Sequence, residues 1–200
     1  MRFAVVGLYN SGSSAVGGML HRLGADLGAP YFGKRLGDQN TVYESAELAR
    51  ELRRWWDEPR LVEQVPANER RAFLRDWLAR QAARGEHAVG AKHPLLALSG
   101  TDVLDAWGPD TRFIWARRPL AASIAGLERR AWWPGREAAM QQRLWQAINE
   151  LAASDIRLLT VEWDELQADP AATARAMADW LGLSPTAEAF SAAAAFVKRS

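Results

Sequence analysis

A three-layer α/β/α domain with a mostly parallel central sheet is the fold this sequence predicts, and three observations predict it. The chain has 200 residues with 48% apolar content, enough to bury one substantial core. Short β-rich runs alternate with longer stretches of Ala, Leu, Arg and Glu, the order expected of helices wound over a parallel sheet. The first β-rich run passes directly into a Gly/Ser loop and then into a helical pattern. No repeat, linker or low-complexity segment interrupts the chain apart from an Ala-rich end at Ser191–Phe196, so residues 1–200 read as a single domain.

The elements follow in order. Arg2–Val6 is a short apolar strand, and a helix with Val16, Met19, Leu20 and Leu23 on one face runs to about Gly24. Gly28–Thr41 is Gly-rich and weakly patterned, as a surface excursion would be. Two amphipathic helices, Glu44–Trp56 and Pro66–Arg84, flank a Pro-containing connection. Ala88–Ala91 is a short buried strand ending at Lys92-His93-Pro94. Arg112–Ala116 is the next strand, with Arg117-Arg118-Pro119 at its carboxyl end, and Pro119 suits the first turn of a helix reaching about Arg130. A long helix covers about Arg136–Ala153, Arg157–Val161 is a last strand, and helices starting at Pro170 and near Pro185 follow.

Composition removes several classes of function. A net charge of +1 provides no field for a nucleic acid or an acidic membrane, so neither is an expected partner. With no cysteine there is no disulfide or thiolate metal site, and His21, His87 and His93 are too far apart to pair on one helix; no metal is expected. No apolar stretch has the length of a membrane span, and MRFAVVG reads as a first strand rather than a signal peptide, which makes the cytoplasm the default location. Most of the ten tryptophans are expected to fill space between helices and sheet. Trp132 and Trp133, beside Pro134-Gly135, sit instead at a break in the helical pattern.

The chemistry-bearing segment is Gly7-Leu8-Tyr9-Asn10-Ser11-Gly12-Ser13-Ser14, placed between a strand and a helix. Glycines let successive N–H groups turn inward, and the helix N-terminus adds partial positive charge, so the segment suits a nucleotide phosphate. Its spacing matches the G-x-x-x-x-G-K-[ST] loop with Ser13 in place of the lysine. That lysine neutralises the terminal phosphates in NTPases, and no strand here ends in an apolar run plus Asp for Mg²⁺. Both points count against a kinase.

These residues, with four further segments, carry a resemblance to the sulfotransferase family, which uses 3′-phosphoadenosine 5′-phosphosulfate (PAPS). Asn10-Ser11-Gly12-Ser13-Ser14 resembles the family's basic-Ser-Gly-Thr-Ser/Thr loop. Val42-Tyr43-Glu44 with Glu47-Leu48 is similar to the Gly-Tyr-Phe-Glu segment of bacterial members, and Lys92-His93-Pro94-Leu95 to their Lys-Asp-Pro-Arg. Ala116-Arg117-Arg118-Pro119-Leu120 resembles Leu-Arg-Asn-Pro. The run from Val161 to Leu166, Asp169-Pro170 and Trp180-Leu181-Gly182-Leu183 resemble the family's tail. Two departures stand out: Asn10 occupies the position of a basic residue, and Ala125 that of a 3′-phosphate serine, with Ser123 two residues earlier.

The resemblance implies a P-loop-type fold that moves a sulfuryl group from PAPS to a hydroxyl or amine of a small or medium acceptor. Asn10, Ser11, Gly12, Ser13 and Ser14 would then hold the 5′-phosphosulfate, and Arg117 with Ser123 the 3′-phosphate. Glu44 is the first choice for the base that takes the acceptor's proton and His93 the second, while Lys92 is a candidate to replace the basic charge missing at position 10. Each of the three also has a structural reading: helix first-turn charge for Glu44, a solvated cation for Lys92, a satisfied polar group for His93. Arg118 reads as a surface or salt-bridge residue. Trp132 and Trp133 are assigned to the acceptor, on a flap, although an exposed Trp pair equally suits a homodimer contact. Two rivals remain open: a nucleotide or nucleoside kinase, and a non-catalytic nucleotide-binding protein of the same fold.

Overall fold

The computed structural model describes residues 1–32 and 42–197. The part of the Gly28–Thr41 stretch from 33 to 41 lies outside the described residues. Four strands form a parallel sheet in the order β4-β1-β5-β6: β1 Arg2–Gly7, β4 Val89–Lys92, β5 Arg112–Arg117 and β6 Arg157–Glu162. Nine helices accompany it among the described residues: α1 Ser13–Arg22, α2 Ala46–Trp55, α3 Ala67–Ala82, α4 Gly100–Trp107, α5 Leu120–Glu128, α6 Glu137–Ala152, α7 Trp163–Ala168, α8 Pro170–Leu181 and α9 Ala187–Ala195. The expected three-layer α/β/α architecture is present.

The layers follow from the period of the strands. In β1, Phe3 and Val5 belong to the core beneath α1, α8 and α9, whereas Ala4 and Val6 belong to the core beneath α3, α4 and α6. β5 repeats this, with Ile114 and Ala116 on the first face and Phe113 and Trp115 on the second. Both faces are covered, so these strands are apolar along their length instead of alternating with polar residues. The tryptophans mostly pack as expected: Trp55, Trp77 and Trp107 are fully buried, and Trp77 stacks on Trp107 with ring centroids 5.7 Å apart.

Three features differ from the expected pattern. Trp56 leaves the second helix and pairs in a short antiparallel hairpin, β2 Trp56–Asp57 with β3 Val62–Glu63. A 3₁₀ turn at Pro94–Ser99 runs into α4 where no helix was expected; its apolar residues, Leu95 to Leu98, are consecutive rather than spaced by three or four, so no amphipathic stripe marks it. Gly28 is not on the surface: it is buried against Trp77, and a side chain there would collide with that ring.

Strand order places the site. β1 lies between β4 and β5, so the chain leaves the sheet in opposite directions on its two sides and opens a crevice at the carboxyl ends. The loop after β1, Lys92-His93 at the end of β4, Arg117-Arg118 at the end of β5 and Glu162-Trp163 at the end of β6 all lie along that edge.

Candidate active site

The loop from Gly7 to Ser14 curls back on itself. A Cβ at Gly7 would stand 2.7 Å from Ser11 Oγ and 2.8 Å from the Ala116 carbonyl, so only glycine permits this approach. Asn10 and Gly12 have φ of 60° and 90°, the left-handed turn that points successive amides to one side. Gly12 has a second constraint, because the Trp163 ring occupies the space a side chain would need. No side chain caps α1 and no acid lies in its first turn, which leaves its N-terminus open to an anion. Ser11 Oγ is buried without a hydrogen-bond partner.

Lys92 reaches this loop from β4. Its ammonium donates to Ser14 Oγ at 3.3 Å, to the Val42 carbonyl at 3.0 Å and to Glu44 Oε1 at 2.7 Å. With 2% of its surface exposed, it is not a solvated strand-end cation. Glu44 is not helix first-turn charge either: it precedes Ser45, the cap of α2, and the first-turn acid is Glu47. Burial, the largest single influence, pushes the Glu44 carboxyl up, but the charge and hydrogen bond of Lys92 together with His93 and Arg53 outweigh it and hold the group below its usual value.

His93 completes the cluster. Its Nδ1 accepts from the Leu95 N–H at 3.1 Å and caps the 3₁₀ turn, which assigns the proton to Nε2, 3.7 Å from Glu44 Oε2. Burial pushes the His93 pKa down to about 4, against the pull of Glu44. The ring is therefore neutral at pH 7 with its lone pair in use. Glu44 is the group of the two with free lone pairs.

The end of β5 is arranged differently. Arg117 pairs with Glu162 at 3.1 Å and lies over the Trp115 ring, with 45% of its side chain exposed. Arg118 is the arginine that touches the loop: Nη1 donates to the Asn10 carbonyl at 3.2 Å while the guanidinium lies over Trp163. The Asn10 amide packs on Gly126 of α5, where no side chain would fit. Ser123 is fully buried with its hydroxyl unpartnered, and Trp132 is 52% exposed while Trp133 packs edge-on against Tyr9. The structure thus gathers Ser14, Glu44, Lys92 and His93 into one cluster, and ties Asn10 to the β5 end.

Sequence reading missed Arg118, Trp163 and Gln141. Gln141 is fully buried and clamps the loop from α6, donating to the Tyr9 carbonyl at 2.7 Å and accepting from the Tyr9 N–H at 3.2 Å. It also donates to the Ser123 carbonyl at 3.2 Å. Its only sequence signal is a polar residue on the buried stripe of α6, between Met140 and Leu144. Among the described residues no three histidine, aspartate or glutamate side chains gather as a metal site would require, and no helix is long and apolar enough to cross a membrane.

A family model described as "Sulfotransferase family" matches residues 3–188. Among solved structures, a sulfotransferase domain from the olefin synthase of Synechococcus PCC 7002 is 16% identical, with a TM-score of 0.57, over 95% of this chain and 75% of that one. A sulfotransferase domain from the curacin biosynthetic pathway is also 16% identical, with a TM-score of 0.50, over 94% of this chain and 76% of that one. No curated protein matches.

Proposed function

This chain belongs to the sulfotransferase family, and from that membership we propose that it transfers a sulfuryl group from PAPS to a hydroxyl or amine of a small or medium acceptor. The observation that carries the reading is Lys92, whose buried ammonium bridges Ser14 of the phosphate loop and Glu44. It supplies from a neighbouring strand the cation that the loop lacks at Asn10 and Ser13.

The loop fits the donor on its own chemistry. The left-handed turns at Asn10 and Gly12, the uncapped start of α1 and the unpartnered Ser11 hydroxyl are features of an anion cradle. Ser11, Gly12, Ser13 and Ser14 would hold the 5′-phosphosulfate, with Asn10 setting the turn. Arg117 would turn from Glu162 to the 3′-phosphate, and the buried Ser123, with its hydroxyl unpartnered, is the second candidate for that group. Bound there, PAPS supplies the group that is transferred. Lys92 neutralises negative charge beside Ser14, and Glu44, held as a carboxylate, takes the acceptor's proton through Oε2. His93 orients Glu44 from its other side.

A thermal-shift comparison of adenosine 3′,5′-bisphosphate (PAP) with ATP plus Mg²⁺ tests the donor. PAP should stabilise the protein far more than ATP. Equal or greater stabilisation by ATP would point to a kinase instead. Arg117→Ala should weaken PAP by about 1.5–3 kcal/mol, the worth of a charge-assisted contact, and should affect AMP much less.

A further inference from the structure

Beside the phosphate loop runs a wall of rings and guanidinium groups for which the transfer chemistry has no use. Trp133 meets Tyr9 edge-on at 5.2 Å between centroids, and Trp132 meets Trp133 at 5.8 Å. Arg130 lies over Trp132 at 5.1 Å. On the other side of Tyr9, its phenol donates to Glu58, Arg53 stands 3.7 Å from the Glu58 carboxylate, and Arg53 lies over the Phe32 ring. Where the β2–β3 hairpin faces the turn into α6, a pocket opens between Pro59, Arg60, Gly135, Arg136 and Met140.

Two properties of this wall point to one kind of occupant. Its outer rings are open: Phe32 and Trp132 are two of the four large hydrophobic side chains exposed among the described residues, while Trp133 is half-buried and Tyr9 buried behind it. One end of it carries an excess of positive charge: the guanidinium groups of Arg129, Arg130 and Arg136 have no carboxylate partner among those residues, and the segment from 128 to 137 contains three arginines and two glutamates, of which Glu137 accepts from the Arg136 backbone N–H. Rings that end in unpaired guanidinium groups favour a flat apolar body bearing a negative charge. The wall also adjoins the transfer site, since Tyr9, which meets Trp133, is part of the loop that continues through Asn10 and Ser11.

We infer that the acceptor is an acidic aromatic alcohol or amine, whose ring lies along Trp133 and Trp132 and whose carboxylate is held by Arg136 at the pocket. The inference rests on the reading of Glu44 as the base, which receives the hydroxyl at the opposite end of the same molecule.

Three phenols with a common body separate the contributions: 4-hydroxyphenylacetate, 4-ethylphenol and tyramine, carrying a negative, neutral and positive tail. Calorimetry on the protein, with and without saturating PAP, should show 4-hydroxyphenylacetate binding about tenfold tighter than 4-ethylphenol and tyramine weakest. Arg136→Gln should remove the preference for the acid while leaving PAP affinity unchanged, and Trp132→Ala should weaken all three phenols alike. Equal binding of the three, binding of none at millimolar concentration, or loss of PAP affinity in Arg136→Gln would overturn the inference. So would a wild-type dimer in sedimentation that Trp132→Ala splits, because the wall would then be an interface between copies. Preferential binding of the acid in a protein that PAP does not stabilise would support the wall and count only against the PAPS donor.

Discussion

The two strands that flank β1 end in cations held in opposite states. At the end of β4, Lys92 is sealed from water, and its three protons are committed to Ser14, Val42 and Glu44. At the end of β5, Arg117 is half-exposed and holds one carboxylate, Glu162, itself 35% exposed. A buried charge cannot lose its partner cheaply, whereas an exposed pair exchanges with water and ions for little. The β4 end is therefore a fixed cluster and the β5 end a pair that can exchange partners.

The largest test of this contrast is Lys92→Met. Removing the cation leaves the Glu44 carboxylate buried and unpaired, so urea unfolding should show a loss of about 3–5 kcal/mol. Adding Glu44→Gln to that variant should restore part of the stability. A loss below that of an exposed pair would show that the β4 cluster is open to water.

A smaller effect separates the two ends by pH. The folded His93 pKa, about 4, lies below its ordinary value of 6.5. Between those values the unfolded chain binds more protons, so stability is complete above pH 6.5 and falls as pH drops towards 4. Glu44, also lowered, has the same sign and adds its loss at lower pH still. Between pH 7 and pH 5, His93 alone should cost about 2 kcal/mol. His93→Asn, which keeps an acceptor for the Leu95 N–H, should flatten that slope. An unchanged slope in this variant would place the acid sensitivity elsewhere.

The smallest effect belongs to the β5 end. Glu162→Gln should change stability by less than about 1 kcal/mol, because the pair it breaks is exposed and screened. It should nevertheless strengthen PAP binding, since Arg117 no longer has to leave a carboxylate. Weaker PAP binding in Glu162→Gln would mean that Arg117 needs Glu162 to position it.

Some of this was legible in the sequence. The alternating strands, the Gly/Ser loop between strand and helix, and the likeness of Lys92-His93-Pro94 and Arg117-Arg118-Pro119 to family segments placed the sheet, the loop and the residues along its edge. These are local signals, set by side-chain period and backbone freedom within a few residues. The helix at Gly100–Trp107 was missed because it is only eight residues long and opens on Gly100, a poor helix former.

The sequence by itself determined which kinds of residue stand at the carboxyl ends of the strands. The tertiary structure alone decided which of them meet. Lys92 and Glu44 are 48 residues apart and Tyr9 and Gln141 132 apart, so their pairing follows from strand order and helix packing, which leave no trace in neighbouring residues. The same holds for Arg117 and Arg118, adjacent in the chain: the parallel register sets Arg117 beside Glu162 on β6, while Arg118, one residue past the strand, reaches Asn10 and Trp163. Sequence could name two arginines; only the packing of β6 and α7 against the loop assigned each a different partner.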